Sequence, residues 1–192
     1  MILDKKIKNR SDEDIVRIIL ATKSHEKYGI LYDRYSTHVY HKCLTFVKDS
    51  DKAQDLTHDI FLKVFINLSK FNFKSKFSTW LYSISYNFCV DYVRKNSKMT
   101  FESEEVLDNI SDDEDDDANE KELLSIRAKR LQKVLDILPP ESKMILLMKY
   151  QDDMSIADLM IAFKMKESTI KMRLKRAKAK ALETYNKLYA DE

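Results

Sequence analysis

Ser155–Lys180, SIADLMIAFKMKESTIKMRLKRAKAK, is the stretch on which the fold of this chain turns. Ser155 followed three residues later by Asp158 forms a capping box, the signature of a helix start. The short helix it opens ends near Phe163. A tight turn through Lys164 to Lys166 follows, and then a long basic helix from Glu167 to at least Lys180. Short helix, turn of three or four residues, longer basic helix is the helix-turn-helix outline. At about 100° per residue, Ile170, Leu174, Ala177 and Ala181 share the side that must face a core. Ser168, Met172, Lys175, Arg176 and Ala179 occupy the other side, flanked by Thr169, Lys171 and Arg173. Short polar residues near a helix N-terminus can approach base edges in a major groove, and Arg or Lys can take guanine edges and phosphates. A solvated surface helix would also be basic, but the cap and turn ahead of this one favour DNA contact.

Working upstream, a helix from about Leu123 to Leu138 stops at Pro139–Pro140. Proline is well tolerated at a first helical position, so Glu141 to Gln151 can restart at once. Before this block lies Asp108–Glu122, DNISDDEDDDANEKE, with nine acidic residues and one basic. It has too few apolar residues to pack and too much like charge to collapse, which reads as a flexible linker. A first helical block precedes it, from about Ser11 to Lys98. There Ser11 with Asp14 makes a capping box ahead of Ile15, Ile18 and Ile19. A second helix spans about Ile30 to Val47, with Leu31, Tyr35, Val39 and Leu44 or Phe46 inward. Asp51 with Gln54 is expected to cap a third, whose apolar stripe is Ala53, Leu56, Ile60, Val64 and Leu68. The loop LSKFNFKSKFS leads to a fourth helix from about Ser78 to Lys95, with Leu81, Ile84, Phe88 and Tyr92 inward.

Composition agrees with this reading. One glycine and two prolines in 192 residues leave little room for tight turns or hairpins. The expected fold is all-α: two small helical domains joined by an acidic flexible linker, the second containing a helix-turn-helix. The net charge of +2 hides a segregation, since Asp108–Glu122 carries −8 and the remainder therefore +10. Between Phe163 and Lys187 stand nine basic residues and two acidic ones, the footprint of a nucleic-acid binder. Cys43 and Cys89 sit in apolar helical patterns without metal or disulfide spacing, which suits a reduced, cytoplasmic chain. The N-terminus, MILDKKIKNR, lacks the long apolar run of a signal peptide, and no later run approaches membrane-spanning length. Neither a phosphate loop nor a nucleophile–base arrangement appears, so no enzymatic activity and no cofactor are expected.

The segment LYDRYSTHVYHKCLTFVKDSDKAQDLTHDIFLKVFINLSKFNFKSKFSTWLYSISYNFCVDYVRK resembles the second conserved region of extracytoplasmic-function (ECF) sigma factors. LPPESKMILLMKYQDDMSIADLMIAFKMKESTIKMRLKRAKAKAL is similar to their fourth region. The specific matches are Ala53, Asp55, Leu56, Asp59 and Phe61, then Phe77, Trp80, Leu81, Ile84 and Asn87. A third set is Thr169, Ile170, Lys171, Arg173, Leu174, Arg176 and Ala177. Their order, with a short linker in place of a full third region, carries the resemblance. The chain departs from the family pattern at Asp153 and Lys164, where glycine is usual. It departs also at Met160, where a small residue is usual, and at Lys166, where a serine cap is common. These changes bear on helix ends and on binding strength.

The resemblance implies region 2 over residues 11–98, a linker over 99–122 and region 4 over 123–189. It implies a sigma factor that binds core RNA polymerase and directs promoter-specific initiation. Asp55, His58, Asp59 and Leu62 would dock on the clamp helices of the largest subunit, since carboxylates around an apolar spot suit a basic coiled coil. Region 4 would meet the flap of the second-largest subunit. Its Ser168, Thr169, Lys171, Met172, Arg173, Lys175 and Arg176 would read the −35 element. Phe71, Phe73, Phe77 and Tyr86 would be platforms for unstacked −10 bases, with Asn87 reading an edge and Lys74, Lys76, Arg94 and Lys95 holding phosphates. Core packing is the competing use for these rings, and it is the expected one for Trp80 and Phe88. The acidic linker corresponds in position to the connector that threads through polymerase; a mimic of nucleic acid and a plain spacer are both open. An anti-sigma factor is a common partner in the family.

Two other readings are distinguishable. An ordinary helix-turn-helix regulator would bind duplex DNA without polymerase, leaving the α-helical docking face and the Phe-rich loop without purpose. A metal site on His38, His41 and Cys43 would need Cys43 to share the histidines' face and an acidic fourth ligand, and the spacing provides neither.

Overall fold

The computed structural model describes residues 9–96 and 118–190, and among them every regular element is helical. The first group comprises α1 (Asp12–Thr22), α2 (His25–Val47), α3 (Ser50–Asn67), a 3-10 turn (Leu68–Lys70) and α4 (Phe77–Asn96). The second comprises α5 (Ala118–Ile137), α6 (Pro140–Leu146), a π turn (Leu147–Gln151), α7 (Ile156–Phe163) and α8 (Glu167–Tyr189).

Most helix starts lie where the caps placed them. The Ser11 hydroxyl accepts from the Asp14 amide at 3.2 Å, and Ser155 and Asp158 close both halves of their capping box. The cap of α3 is different. Asp49, rather than Asp51, accepts from the Lys52 amide at 3.0 Å, which leaves Asp51 inside the first turn. That placement is favourable too, because a carboxylate there meets the positive end of the helix dipole. The second helix starts at His25, five residues before the expected Ile30, because α1 ends abruptly at Lys23 and the chain re-enters a helix at once. In the second group α5 starts at Ala118, so Ala118–Glu122 of the acidic tract is helical; residues 99–117 of the expected linker lie outside the described residues.

A nearly glycine-free chain must stop its helices on other residues. Lys23, Lys48 and Lys164 each end a helix in the left-handed region, at φ 51°, 53° and 53°, and Asp153 does the same after the π turn at φ 50°. Each such conformation costs roughly 1–2 kcal/mol for a residue with a side chain. The donated amide offsets part of that, as when Lys23 N–H reaches the Ile19 carbonyl at 2.8 Å. Asp153 and Lys164 are the positions at which the sequence departs from the family's glycines. The single glycine, Gly29, lies mid-helix with open space where a side chain would sit.

In the first group α2, α3 and α4 wrap a core built on Leu31, Val39, Ile60, Val64, Phe77 and Leu81. The predicted stripe of α3 is buried throughout, from Ala53 to Leu68. Helix α1 is tied to α4 by Glu13, whose carboxylate accepts the Phe77 amide at 2.8 Å and so caps a helix it does not belong to. In the second group Leu159, Ile170, Leu174 and Ala177 bury against Met144, Ile145 and Met148. That core does not stop at the second group, since Tyr86 and Val90 of α4 belong to it.

Candidate nucleic-acid interface and polymerase-docking face

The helix-turn-helix comes out as α7, a turn at Lys164–Lys166, and α8. The turn closes through Met165 N–H to the Met160 carbonyl at 3.1 Å, which orients α8 across α7. Burial of Ile170, Leu174 and Ala177 turns the other side of α8 outward. Ser168, Thr169, Lys171, Met172, Arg173, Lys175 and Arg176 are all exposed there. Lys171 pairs with Glu167 at 2.6 Å, one turn back, and the Arg173 guanidinium lies 6.0 Å from the Phe163 ring centre. Both are surface contacts that a phosphate could displace at little cost.

On α3, burial of the apolar stripe presents Asp55, His58, Asp59 and Leu62 to solvent. Leu62 is 61% exposed and Ile66 75%. Two large aliphatic residues one turn apart, with Asp55 and Asp59 on the turns before them, form an apolar spot bordered on one side by carboxylates.

The Phe-rich loop is arranged differently from the sequence expectation. Phe71 and Phe77 are buried in the first core, edge-on to each other at 5.9 Å between ring centres and tilted against Trp80, so neither is open to a base. The cause is the apolar pocket between α1, α2 and α4, which a loop this rich in phenylalanine fills. Phe73 is half-buried, held at φ 59° with the Arg17 guanidinium 4.6 Å above its ring. Lys74 and Lys76 are exposed beside it, as are Asn87, Arg94 and Lys95 on α4. Trp80 and Phe88 pack against the first core.

Tyr86 is fully buried, and what covers it is the second group. Lys42 of α2 points into the same seam and forms a buried ion pair with Asp152. Its Nζ lies 4.2 Å from the Tyr82 ring centre and 5.2 Å from that of Tyr86. Burial, with the Asp152 charge nearby, pushes the Tyr82 hydroxyl up to about 12 and the Tyr86 hydroxyl further still. Lys143 of α6 donates to the Thr45 carbonyl at 2.7 Å and to Asp136 at 3.0 Å. Burial pulls the Lys143 ammonium below the usual lysine range, against the opposing pull of Asp136. Asp136 also meets Lys48 at 2.8 Å; burial works to raise its carboxyl, but hydrogen bonds from Lys48 and Lys143 win and hold it low. Arg94 meets Glu141 at 3.6 Å and Thr79 meets Asp158 at 3.5 Å. The sequence reading missed this seam. Its one signal was position: Val39, Lys42, Cys43 and Phe46 fall at helical spacing on the inner stripe of α2, so the lysine is where an apolar residue belongs.

Cys43 faces the core, 3.6 Å from Cys89 Sγ, whereas His38 and His41 are exposed, so the three do not converge. Hydrogen bonding from Cys89 lowers the Cys43 thiol, and the same contact with burial raises Cys89. Among the described residues no grouping of three metal-ligating side chains occurs, and no helix is long and apolar enough to cross a membrane.

A helical module with an exposed acidic–apolar face, joined to a helix-turn-helix, is the architecture these residues define. Comparison with known proteins places it further. The sigma-70 region 2 family model matches residues 31–99 and the sigma-70 region 4 model matches residues 128–180. The ECF RNA polymerase sigma factor SigW of Bacillus subtilis is 24% identical over 168 residues, covering 80% of this chain and 86% of that one. Two solved structures share the fold. CnrH, in complex with the cytosolic domain of CnrY, has a TM-score of 0.64 at 17% identity and covers 95% of this chain and 100% of that one. RpoE of Bartonella quintana, in complex with the anti-sigma factor NepR, has a TM-score of 0.61 at 18% identity and covers 87% and 99%. The chain belongs to the sigma-70 family and is an RNA polymerase sigma factor of the ECF type, a non-enzymatic initiation factor.

Proposed function

We propose that this sigma factor reads a two-part promoter, with region 4 in intact duplex at the −35 element and region 2 on melted DNA at the −10 element. The observation that carries the reading is the outward face of α8, where six polar or basic groups from Ser168 to Arg176 surround Met172 while Ile170, Leu174 and Ala177 are sealed. A helix in that state can enter a major groove N-terminus first. Asp55, His58, Asp59 and Leu62 dock on the clamp helices of the largest polymerase subunit, and region 4 meets the flap of the second-largest. Exposed Leu62 supports this, because it supplies apolar area beside the Asp55 and Asp59 carboxylates.

At the −10 element, Phe73 stacks a base, Asn87 reads an edge, and Lys74, Lys76, Arg94 and Lys95 hold phosphates. Phe71 and Phe77 support the loop from beneath. Tyr86 becomes available once region 4 has moved. The acidic linker between the regions sets how far they separate. An anti-sigma protein is a further proposed partner, by the family reading.

Run-off transcription with purified core polymerase tests the proposal. Promoter-dependent initiation supports it; duplex binding without initiation would leave an ordinary helix-turn-helix regulator.

A further inference from the structure

Region 4 is basic overall, yet along the seam it turns carboxylates toward region 2. Asp158 meets Thr79, Asp152 meets Lys42, Asp136 meets Lys48 and Glu141 meets Arg94. Thr79, Tyr82, Tyr86, Val90 and Arg94 recur every three or four residues, so one stripe of α4 runs along the seam, covered from Thr79 to Val90 and exposed at Arg94. At about 1.5 Å per residue the stripe is roughly 22 Å long. That is the length of about six nucleotides in a stacked strand, at ~3.4 Å each.

Separated from region 4, the stripe would present two tyrosine rings with cations beside them, the composition that captures single-stranded nucleic acid. Tyr86 and Arg94, two residues of the −10 reading, are already among its members. Lys143 runs the other way: it is a cation of region 4 buried against the Thr45 carbonyl and the Phe46 ring, and it anchors the seam.

The closed arrangement cannot be the one that spans a promoter. The −10 and −35 positions are about 25 base pairs apart, roughly 85 Å at ~3.4 Å per pair. A compact chain of 192 residues has a radius of gyration of about 16 Å and is about 45 Å across. Region 4 must leave region 2 before both elements can be read, and the 21 residues between Asn96 and Ala118 extend to at most ~75 Å.

The seam suits release. Asp152 Oδ2 is buried and accepts no hydrogen bond, and a buried ion pair adds little net stability although it strongly specifies its partner.

We propose that the carboxylates of region 4 stand in for strand phosphates on the Lys42–Tyr82–Tyr86 face, so that region 4 and single-stranded promoter DNA compete for one surface. Lys42 and Tyr82 are thereby added to the DNA site, with a phosphodiester strand as the ligand. In the free chain Asp152 occupies the phosphate position of Lys42 and keeps the face shut. This rests on the −10 reading above.

The test uses the full chain and a fluorescein-labelled 12-nucleotide single-stranded DNA of mixed sequence. Asp152→Ala is expected to enlarge the radius of gyration in solution scattering and to tighten strand binding about tenfold. It should also steepen the salt dependence, by ~0.7 in log–log slope for each phosphate gained. Glu141→Lys, on the exposed rim of the seam, should act in the same direction and leaves both cores untouched. Adding Lys42→Ala to Glu141→Lys, which leaves Asp152 buried without its cation and so keeps the chain expanded, should abolish the gain. Expansion without tighter binding overturns the competition, as does a gain that survives loss of Lys42. No expansion in either single variant overturns the seam as a closure. Run-off transcription by wild-type holoenzyme, measured in parallel, separates these outcomes from failure of the promoter reading itself.

Discussion

Glu13 on the first helix accepts the backbone amide of Phe77, 64 residues further on, at 2.8 Å. The amide is one of those that α4 cannot satisfy internally, and the partner is a carboxylate rather than a local cap. Removing it leaves a partly buried N–H at the start of the helix that carries the proposed −10 residues.

Glu13→Ala is therefore expected to destabilise region 2 by about 1–2 kcal/mol, within the range for an orphaned donor whose acceptor was charged. Glu13→Gln keeps an acceptor and should recover part of the loss. Urea unfolding followed by helical circular dichroism checks both, and equal losses in the two variants would place the effect elsewhere.

The α3 face predicts a separation of function from folding. Leu62→Ala and Asp59→Lys remove exposed groups, so stability should change by no more than about 0.5 kcal/mol. Assembly with core polymerase should weaken at least tenfold, read by competition against wild-type chain for a limited amount of core. A loss of assembly that tracks a fall in melting temperature would point to misfolding instead.

On α8, Arg176→Ala removes a fully outward guanidinium. If it reads a guanine, affinity for promoter duplex should fall by about 1–3 kcal/mol and preference at one base pair should relax. Lys175→Ala should weaken binding evenly across sequences and lower the salt slope by about 1. Fluorescence anisotropy with matched and mismatched duplexes distinguishes the two.

Acid should loosen the seam. Asp136 is held low by Lys48 and Lys143, against the opposing effect of burial. A carboxyl depressed in the folded state contributes stability that is present above its ordinary value and lost as pH falls through the depressed one. Solution scattering from pH 6 down to pH 3 should therefore show expansion beginning below about pH 4. In Asp136→Asn the transition should shrink, since the replacement cannot titrate; an unchanged profile would assign it to other carboxylates.

The sequence was most informative where physics is local. The capping boxes, the stop at Pro139, the apolar stripe of α3 and the two-faced α8 all follow from helical period and the chemistry of helix ends. The departures at Asp153 and Lys164 were also legible, and both residues turn out to hold left-handed conformations without glycine. Phe71, Phe73 and Phe77 were less so. Phe71 and Phe73 stand in one lysine-rich loop and Phe77 opens α4, and only their depth in the first core separates the two that are buried from the one that keeps an exposed side.

Residue types and their spacing were enough to determine an all-helical chain, a helix-turn-helix and the outward faces of α3 and α8, because each depends on neighbours within a turn or two. The meeting of Lys42 with Asp152, 110 residues apart, was decided by tertiary structure alone. A lysine on an inner stripe shows that a partner is needed but carries no information about which carboxylate arrives. That choice is made by the shapes of two packed surfaces, and it leaves Tyr86 covered by the protein itself.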